Sequence, residues 1–280
     1  SIIVGRFVGE DALAAVGASY SFTTVFIMVA IGGGMGASVL VSQYLGAAKY
    51  REMKTAVSTF LLAFAFFGTL LAVLGFLCNP LILRALKTPD NILDDALLYL
   101  QIYFVGLPFV FMYNILAANF NALGKSNIPL YLLIFSSVLN VILDLVMVLG
   151  FGLGVAGVAI ATVLAQGVSS LISFMTLLRK LKEYGTKVET GGSGAGTEGG
   201  ERKRFFDASM FFSGLKIAIP SIIQQSIVSI GMLLTQSAVN AFGSSAVAGY
   251  SAGMRLESIC IVPMIATGNA MSTFAAQNLG

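Results

Sequence analysis

The 280 residues include 57% hydrophobic side chains and only 10% charged ones, and the formal net charge is +3. Because soluble domains spend about 25% of their residues on Asp, Glu, Lys and Arg, this composition predicts an integral membrane protein. The sequence has no His, which excludes histidine metal sites and hydrolases of the Ser-His-Asp type. Its two cysteines, Cys78 and Cys260, are too far apart in the sequence for a CxxC zinc site.

Long stretches without charges predict membrane helices, since about 20 apolar residues cross the hydrocarbon core of a bilayer. Residues 1–8 resemble the end of one helix, and the segment 6–19 is expected to lie outside the cell. Because the chain starts without Met and stops directly after an apolar run, we expect an internal piece of a longer protein, truncated at both ends. In chain order, the predicted spans are 20–43, 55–78, 97–120, 129–150, 154–178, 213–239 and 251–276.

Basic residues near the ends of the spans indicate the orientation in the membrane. Twelve of them lie at one set of span ends and three at the opposite set. Because Lys and Arg are retained on the cytoplasmic side, the loops 43–55, 120–128 and 179–212 are predicted to be cytoplasmic. The protein is therefore expected to cross the bacterial cytoplasmic membrane several times, with the lipid bilayer as its surroundings.

Residues 181–212 form a predicted linker. Nearly half of the residues from Gly185 to Gly200 are Gly, a composition typical of a flexible coil. The linker would separate an N-terminal lobe, residues 1–180, from the start of a C-terminal lobe, residues 213–280. The basic clusters beside it are explained by membrane orientation, so we expect no nucleic-acid partner; attraction to a phospholipid surface is the weaker alternative.

An internal repeat appears when the chain is compared with itself at an offset of 234 residues. Gly9–Gly46 then matches Gly243–Gly280 without gaps, and both copies end in Gln-x-Leu-Gly. Six spans separate the two starts, and because six is even, both copies enter the membrane from the same side. The repeat predicts an all-α membrane protein of two six-helix bundles related as parallel repeats.

Short motifs along the whole chain carry a family resemblance: Val4–Gly9, Ala12–Gly17, Ser42–Ala47, Gly106–Phe109 with Tyr113 and Asn114, Leu139–Asp144, Gly152–Thr162, Ile219–Ser221, Gln224–Ser226 and Gln277–Gly280. In their order and spacing they resemble the multidrug and toxic compound extrusion (MATE) family, and the second-lobe motifs look most like its DinF-like bacterial branch. The resemblance implies twelve helices in two six-helix bundles, of which this chain would hold the end of helix 1 through helix 8.

The resemblance also implies a function, namely secondary active export of small organic compounds in exchange for protons or sodium ions. The expected substrates are amphipathic or cationic. In the family, an acidic residue of helix 1 would sit just before Ser1, so a principal coupling residue is expected to lie outside these residues. Neither a cofactor nor an obligate protein partner is implied.

Asp144 is the acidic residue that lies deep within an apolar run. A carboxylate near the membrane centre costs about 2.5–3.5 kcal/mol, and burial disfavours its ionised form, so it can hold a proton. Asn140 lies one turn earlier on the same helix face, where its amide could donate to the carboxylate or offer an oxygen to sodium. A polar pair that only joins helices is the structural alternative, but such joining rarely requires a carboxylate.

The resemblance extends this cluster, because the matching family positions surround a cation or proton site. Thr162 fits the pattern, and Asn114 is a looser candidate, with Asn119 as a rival on the same helix. The predicted coupling set is therefore Asp144, Asn140, Thr162 and Asn114, with no metal site beyond possible sodium at the first three. The sequence leaves protons and sodium ions open.

The second lobe has no acidic residue in the region of Gln224 and Gln225. These two side chains, with Gln236 and Asn240, are candidates to line a substrate cavity, although hydrogen bonding between helices explains them equally well. Arg255 and Glu257 lie about one turn into the last span and are expected to be structural. Gly32–Gly36 indicates close helix packing rather than a phosphate loop.

Three classes of function compete. An exporter coupled to a cation is favoured. A flippase for lipid-linked oligosaccharide or peptidoglycan precursors is the alternative, but it would require several basic residues in the cavity, and Arg255 is the one candidate. A membrane enzyme is not expected, because the sequence has no His, no metal motif and no paired carboxylates.

Overall fold

A computed structural model describes residues 2–85, 90–190, 205–240 and 244–279, and these residues are almost entirely helical. No strand occurs within those ranges. A short π-helix, Val146–Gly150, directly continues the fifth helix. The α-helices are α1 (Ile2–Phe7), α2 (Glu10–Gly46), α3 (Tyr50–Ala85), α4 (Asp90–Ala122), α5 (Asn127–Leu145), α6 (Gly154–Thr190), α7 (Ala208–Asn240) and α8 (Ser244–Leu279).

Seven of these helices are long and apolar enough to cross a membrane, which confirms the predicted all-α membrane fold. These helices are longer than the predicted spans, α5 when its π-helical continuation is included. Helix α2, for example, has 37 residues and so extends about 55 Å, well beyond the roughly 30 Å of hydrocarbon. The segment 6–19 was expected to be an external connection, but most of it is helical, because α2 already begins at Glu10. Apolarity marks the part of a helix that lies in lipid, and it does not mark where the helix ends.

The segment predicted as the linker, 181–212, is partly helical. Helix α6 continues to Thr190, and α7 begins at Ala208, while residues 191–204 lie outside the described residues. The start of α7 is attached to α3: the backbone N–H of Asp207 donates to Thr59 Oγ1 (3.0 Å), and Ser58 Oγ donates to the Phe205 carbonyl (2.7 Å). The lobe boundaries remain a prediction.

The two copies of the internal repeat form corresponding helices. Helix α2 begins at Glu10 and α8 at Ser244, which are separated by the same offset as the sequence match. Both helices run to the Gln-x-Leu-Gly motif at the end of each copy. The sequence repeat is thus also a repeat of helix boundaries.

Helix α4 lies at the centre of the packing and contributes to two clusters of buried residues. The outer surface carries large exposed apolar side chains, such as Leu77 (70% exposed) and Leu81 (72%). Lipid rather than water suits such a surface. The α4 residues in the two clusters include Ile115, Leu116 and Phe120 in one, and Leu100, Phe104 and Leu107 in the other.

The glycines of α2 allow α7 and α3 to approach closely, which confirms the packing expected for Gly32–Gly36. A Cβ atom on Gly32 would lie 2.8 Å from the Ile222 Cα atom of α7, and one on Gly33 would lie 2.9 Å from the Phe64 ring of α3. One turn along, a Cβ on Gly36 would meet the Gly214 carbonyl. Small residues at such positions let membrane helices pack backbone against backbone.

Candidate functional site

A partly buried polar cluster lies between α5 and α6. Asp144 and Asn140 stand one turn apart on α5, and Thr162 is on α6. Asn140 Nδ2 donates to Thr162 Oγ1 (3.3 Å), and that hydroxyl donates in turn to the Val158 carbonyl (2.9 Å). The structure therefore brings three of the four predicted coupling residues to one place.

Asp144 is 5% exposed and is the one Asp, Glu, Lys or Arg in the buried set of the described residues. Its Oδ1 atom is buried and has no hydrogen-bond partner within that part of the chain. The Asn140 amide, expected to be able to donate to this carboxylate, donates to Thr162 instead. An unpartnered buried carboxylate is costly unless a proton or a cation neutralises it. The cluster can therefore hold a small positive species.

Tyr99 of α4 belongs to the same surroundings, although the sequence analysis did not select it. Its phenol is close enough to interact electrostatically with Asp144. Its ring packs against a cluster that includes Val148 and Val158. Nothing in the local sequence distinguishes this Tyr from an ordinary core aromatic, because only the packing of α4 beside α5 brings positions 99 and 144 together.

Polar side chains continue along the facing sides of α5 and α6. Ser136 Oγ donates to the Ala165 carbonyl at 3.5 Å, and both Gln166 Oε1 and Ser169 Oγ are buried without a partner among the described residues. Ser136 precedes Asn140 by four residues and Gln166 follows Thr162 by four, so each extends one helix face. This spacing was a usable signal that the sequence analysis passed over.

A separate cavity of about 470 Å³ lies between α2, α4, α7 and α8. This size falls within the range of small-molecule sites. Among the described residues that line it none is charged, and the polar lining is provided by amides and hydroxyls. The amide members are Asn114, Asn121, Gln224, Gln225 and Asn269.

Three of the predicted site residues line this cavity, and the side chains of two others lie outside the described residues. Gln224 and Gln225 line the cavity, and so does Asn114. The Asn114 amide donates to the Val110 carbonyl of its own helix (2.8 Å), and within the described part it makes no hydrogen bond to Asp144. Gln236 and Asn240 belong to α7, but their side chains lie outside the described residues.

Asn121 and Asn269 were missed by the sequence analysis. Asn121 follows Asn114 by seven residues, a spacing that puts both on one face of α4 and was available from the sequence. Asn269 lies on α8, and its position became visible only when that helix packed across the cavity from α4. The two charged residues of α8 lie about three turns into the helix, since α8 already begins at Ser244. Glu257 is exposed, and the Arg255 side chain lies outside the described residues.

At one end of the cavity, the ends of α2, α4 and α8 come together. Gln277 Nε2 donates to the Ala122 carbonyl at the end of α4 (2.7 Å). A side chain at Gly46 would overlap the backbone carbonyl of Gln277. The two Gln-x-Leu-Gly motifs of the repeat therefore meet each other here, on the side that the basic residues predict to be cytoplasmic.

Comparisons with known proteins match a family and a fold. The family model described as MatE matches residues 1–146 and 220–280. The probable multidrug resistance protein YoeA of Bacillus subtilis (strain 168) is 33% identical over 99% of this chain and 58% of its own length. The probable multidrug resistance protein YpnP of the same strain is 30% identical over 100% of this chain and 60% of its own length.

Among solved structures, an outward-facing conformation of a multidrug resistance MATE family transporter of the MOP superfamily superimposes with a TM-score of 0.84. It is 23% identical to this chain, and the match covers 99% of this chain and 59% of that one. At this identity the likeness concerns the fold. The chain spans about 60% of the length of the relatives that it matches.

Proposed function

The chain belongs to the MatE family, and from this membership we propose that the protein is a secondary active transporter that exports small organic compounds in exchange for protons or sodium ions. The observation that carries the proposal is the buried carboxylate of Asp144, whose Oδ1 atom has no partner among the described residues. Such a group is tolerated in a membrane when its neutralisation by a proton or cation is part of the function.

The coupling step rests on Asp144 and its two neighbours. In the proton version, Asp144 binds a proton in one conformation and releases it in the other. In the sodium version, the carboxylate and the oxygens of Asn140 and Thr162 provide hard oxygen ligands for the ion. Either ion changes the balance between conformations only to the extent that it binds one of them more tightly.

Substrate recognition is assigned to the central cavity. Its amides and hydroxyls can accept and donate hydrogen bonds, and Met35 and Ile31 supply apolar contact. Such a lining suits neutral or cationic amphipathic compounds. A flippase for lipid-linked precursors would need basic groups to bind phosphate, and no basic residue occurs among the described residues that line this cavity.

Alternating access would come from rocking of the two lobes, residues 1–180 and 213–280, with 181–212 as the connection. Helix α2 of the first lobe packs against α7 and α8 of the second. In the proposed cycle, the contact of Gln277 with Ala122 closes the cytoplasmic end of the cavity and must break for substrate to enter from that side. The proposed location is the bacterial cytoplasmic membrane.

The test is transport by the full-length protein in proteoliposomes, with pH and sodium gradients imposed separately. A fluorescent organic cation serves as substrate, and Asp144→Asn is compared with the parent. We expect one of the two gradients to drive transport in the parent and neither to drive it in the variant. Equal gradient-driven transport by the variant contradicts the coupling role, and movement of a labelled lipid precursor without dye transport favours the flippase.

A further inference from the structure

A groove outside the central cavity lies where the start of α3 meets the end of α6. Its volume is about 440 Å³. It is distinct from the polar cluster, and none of its residues has a role in the proposed transport cycle. The lining residues are Lys54 of α3 and Met175, Leu178, Arg179, Leu181 and Lys182 of α6.

The α6 side of the groove changes from apolar to basic along a single helix face. Leu178 and Arg179 follow Met175 by three and four residues, and Lys182 follows these two by four and three, so all four lie on one helix face. Met175 and Leu178 are 53% and 44% exposed and lie within the apolar part of α6. Arg179 and Lys182 come next, towards the end of the helix that is predicted to be cytoplasmic.

The groove is rich in positive charge, because Lys54 adds a third cation from α3 and none of the described residues that line it is acidic. The nearest acid on α6, Glu183, accepts a hydrogen bond from Lys180 at 2.8 Å. On α3, Glu52 precedes Lys54 by two residues and so points to a different side of that helix. The described lining of the groove therefore combines basic side chains from two helices.

We propose that this groove binds the headgroup of an anionic phospholipid from the cytoplasmic leaflet. Lys54, Arg179 and Lys182 would hold the phosphate, and an acyl chain would lie along Met175 and Leu178. Arg offers paired donors that match phosphate oxygens, and basic pockets between membrane helices on this side suit anionic headgroups. Membrane orientation requires basic residues near the spans, but it does not require them on two different helices around one groove.

A tryptophan reporter tests the proposal, because these 280 residues contain no Trp. The full-length protein carries Leu178→Trp and is reconstituted in vesicles of phosphatidylcholine with brominated phosphatidylglycerol or brominated phosphatidylcholine. Fluorescence of the parent is subtracted. Leu133→Trp is the matched reporter, since Leu133 is 52% exposed and lies at a similar distance from the predicted cytoplasmic end of its span.

The expected result is preferential quenching by phosphatidylglycerol at position 178, by about fivefold or more, and little preference at position 133. Adding Lys54→Gln with Arg179→Gln should abolish the preference. Lys49→Gln with Lys125→Gln removes the same charge on the same side but outside the groove, and should preserve it.

Three outcomes would overturn the proposal. The first is equal quenching by both lipids at position 178 in the otherwise unchanged protein. The second is an equal loss of preference in the two double variants. The preference would then come from general electrostatic attraction between the basic side of the protein and anionic lipid, and not from the groove. In the third, inorganic phosphate competes with phosphatidylglycerol at an ionic strength matched with chloride, and the ligand is then free phosphate rather than lipid. None of these outcomes depends on transport.

Discussion

The polar cluster between α5 and α6 and the cavity between α2, α4, α7 and α8 differ in their chemistry. The cluster has a buried carboxylate and lies within the predicted first lobe. The described residues that line the cavity include no charged one, and they come from both predicted lobes. A small ion can be recognised by one carboxylate and two oxygens, whereas an organic compound needs a larger surface of hydrogen bonds and apolar contacts.

In the proposed transport cycle, this separation would couple ion and substrate without direct competition between them. If the ion and the substrate bound the same carboxylate, each would displace the other, and exchange would follow directly from that competition. Here the ion would act through the arrangement of α5 and α6, and the substrate through the contact between lobes. The coupling must then pass through a conformational equilibrium that both ligands bias. The predictions below test whether the two regions can be altered independently.

The largest expected effect is that of Asp144→Asn. The amide cannot bind and release a proton and is a poorer ligand for sodium than a carboxylate, so ion-driven efflux from proteoliposomes should fall to the level of protein-free vesicles. Equilibrium binding of substrate to the purified variant should stay within about twofold of binding to the parent with its coupling ion bound, because the amide is uncharged like the ion-loaded carboxylate and Asp144 does not line the cavity. Asp94→Asn, an exposed position on α4, is the control and should transport normally. Loss of substrate binding in Asp144→Asn would show that the two regions are not separate.

The next largest effect is expected at the close contact between α2 and α7, beside the cavity. In Gly36→Ala, the new Cβ would meet the Gly214 carbonyl and lie 3.0 Å from the Ala218 Cβ. Such overpacking typically costs about 1–3 kcal/mol, so the midpoint of thermal unfolding of the purified protein should fall. Gly17→Ala is the matched control, since a Cβ there meets no atom within 4 Å and should be neutral or stabilising. Equal midpoints for the two variants would contradict the close α2–α7 contact.

A smaller effect is expected when amides are removed from the cavity. Gln224→Leu with Asn269→Leu eliminates hydrogen-bonding groups on α7 and α8, and each lost bond is worth about 0.5–1.5 kcal/mol. The apparent KM for transport of a dye should rise roughly tenfold, while the dependence of transport on the ion gradient stays unchanged. Asn278→Leu, also on α8 but outside the cavity lining, should leave KM unaltered. A changed dependence on the ion gradient in the double variant would show that the cavity and the polar cluster are not functionally separate.

The sequence predicted those features that depend on residues close to each other along the chain. The seven spans follow from apolar length, and the neighbourhood of Asp144 and Asn140 follows from helical spacing. Residues that come together only when helices pack could not be predicted from the sequence. Tyr99, near Asp144, is one example, and Asn269, across the cavity from Asn114, is another. The resemblance to a family supplied Thr162, which the structure places against Asn140, but it also grouped Asn114 with the coupling residues, whereas the structure puts that side chain in the cavity.

The smallest effect, and the sharpest test of the cluster, is expected from Thr162→Val. Valine keeps the shape of Thr but removes the hydroxyl that accepts from Asn140 at 3.3 Å and donates to Val158 at 2.9 Å. The apparent affinity for the coupling ion should fall by about two- to tenfold, without a change in KM for the dye. Thr162→Ser retains the hydroxyl and should restore the affinity. Thr176→Val is the matched control, because Thr176 makes the same kind of bond within α6, to Ile172 at 2.7 Å, away from the cluster. Equal ion affinities in the two Val variants would mean that the Thr162 hydroxyl only satisfies its own helix, and the coupling site would then reduce to Asp144 and Asn140.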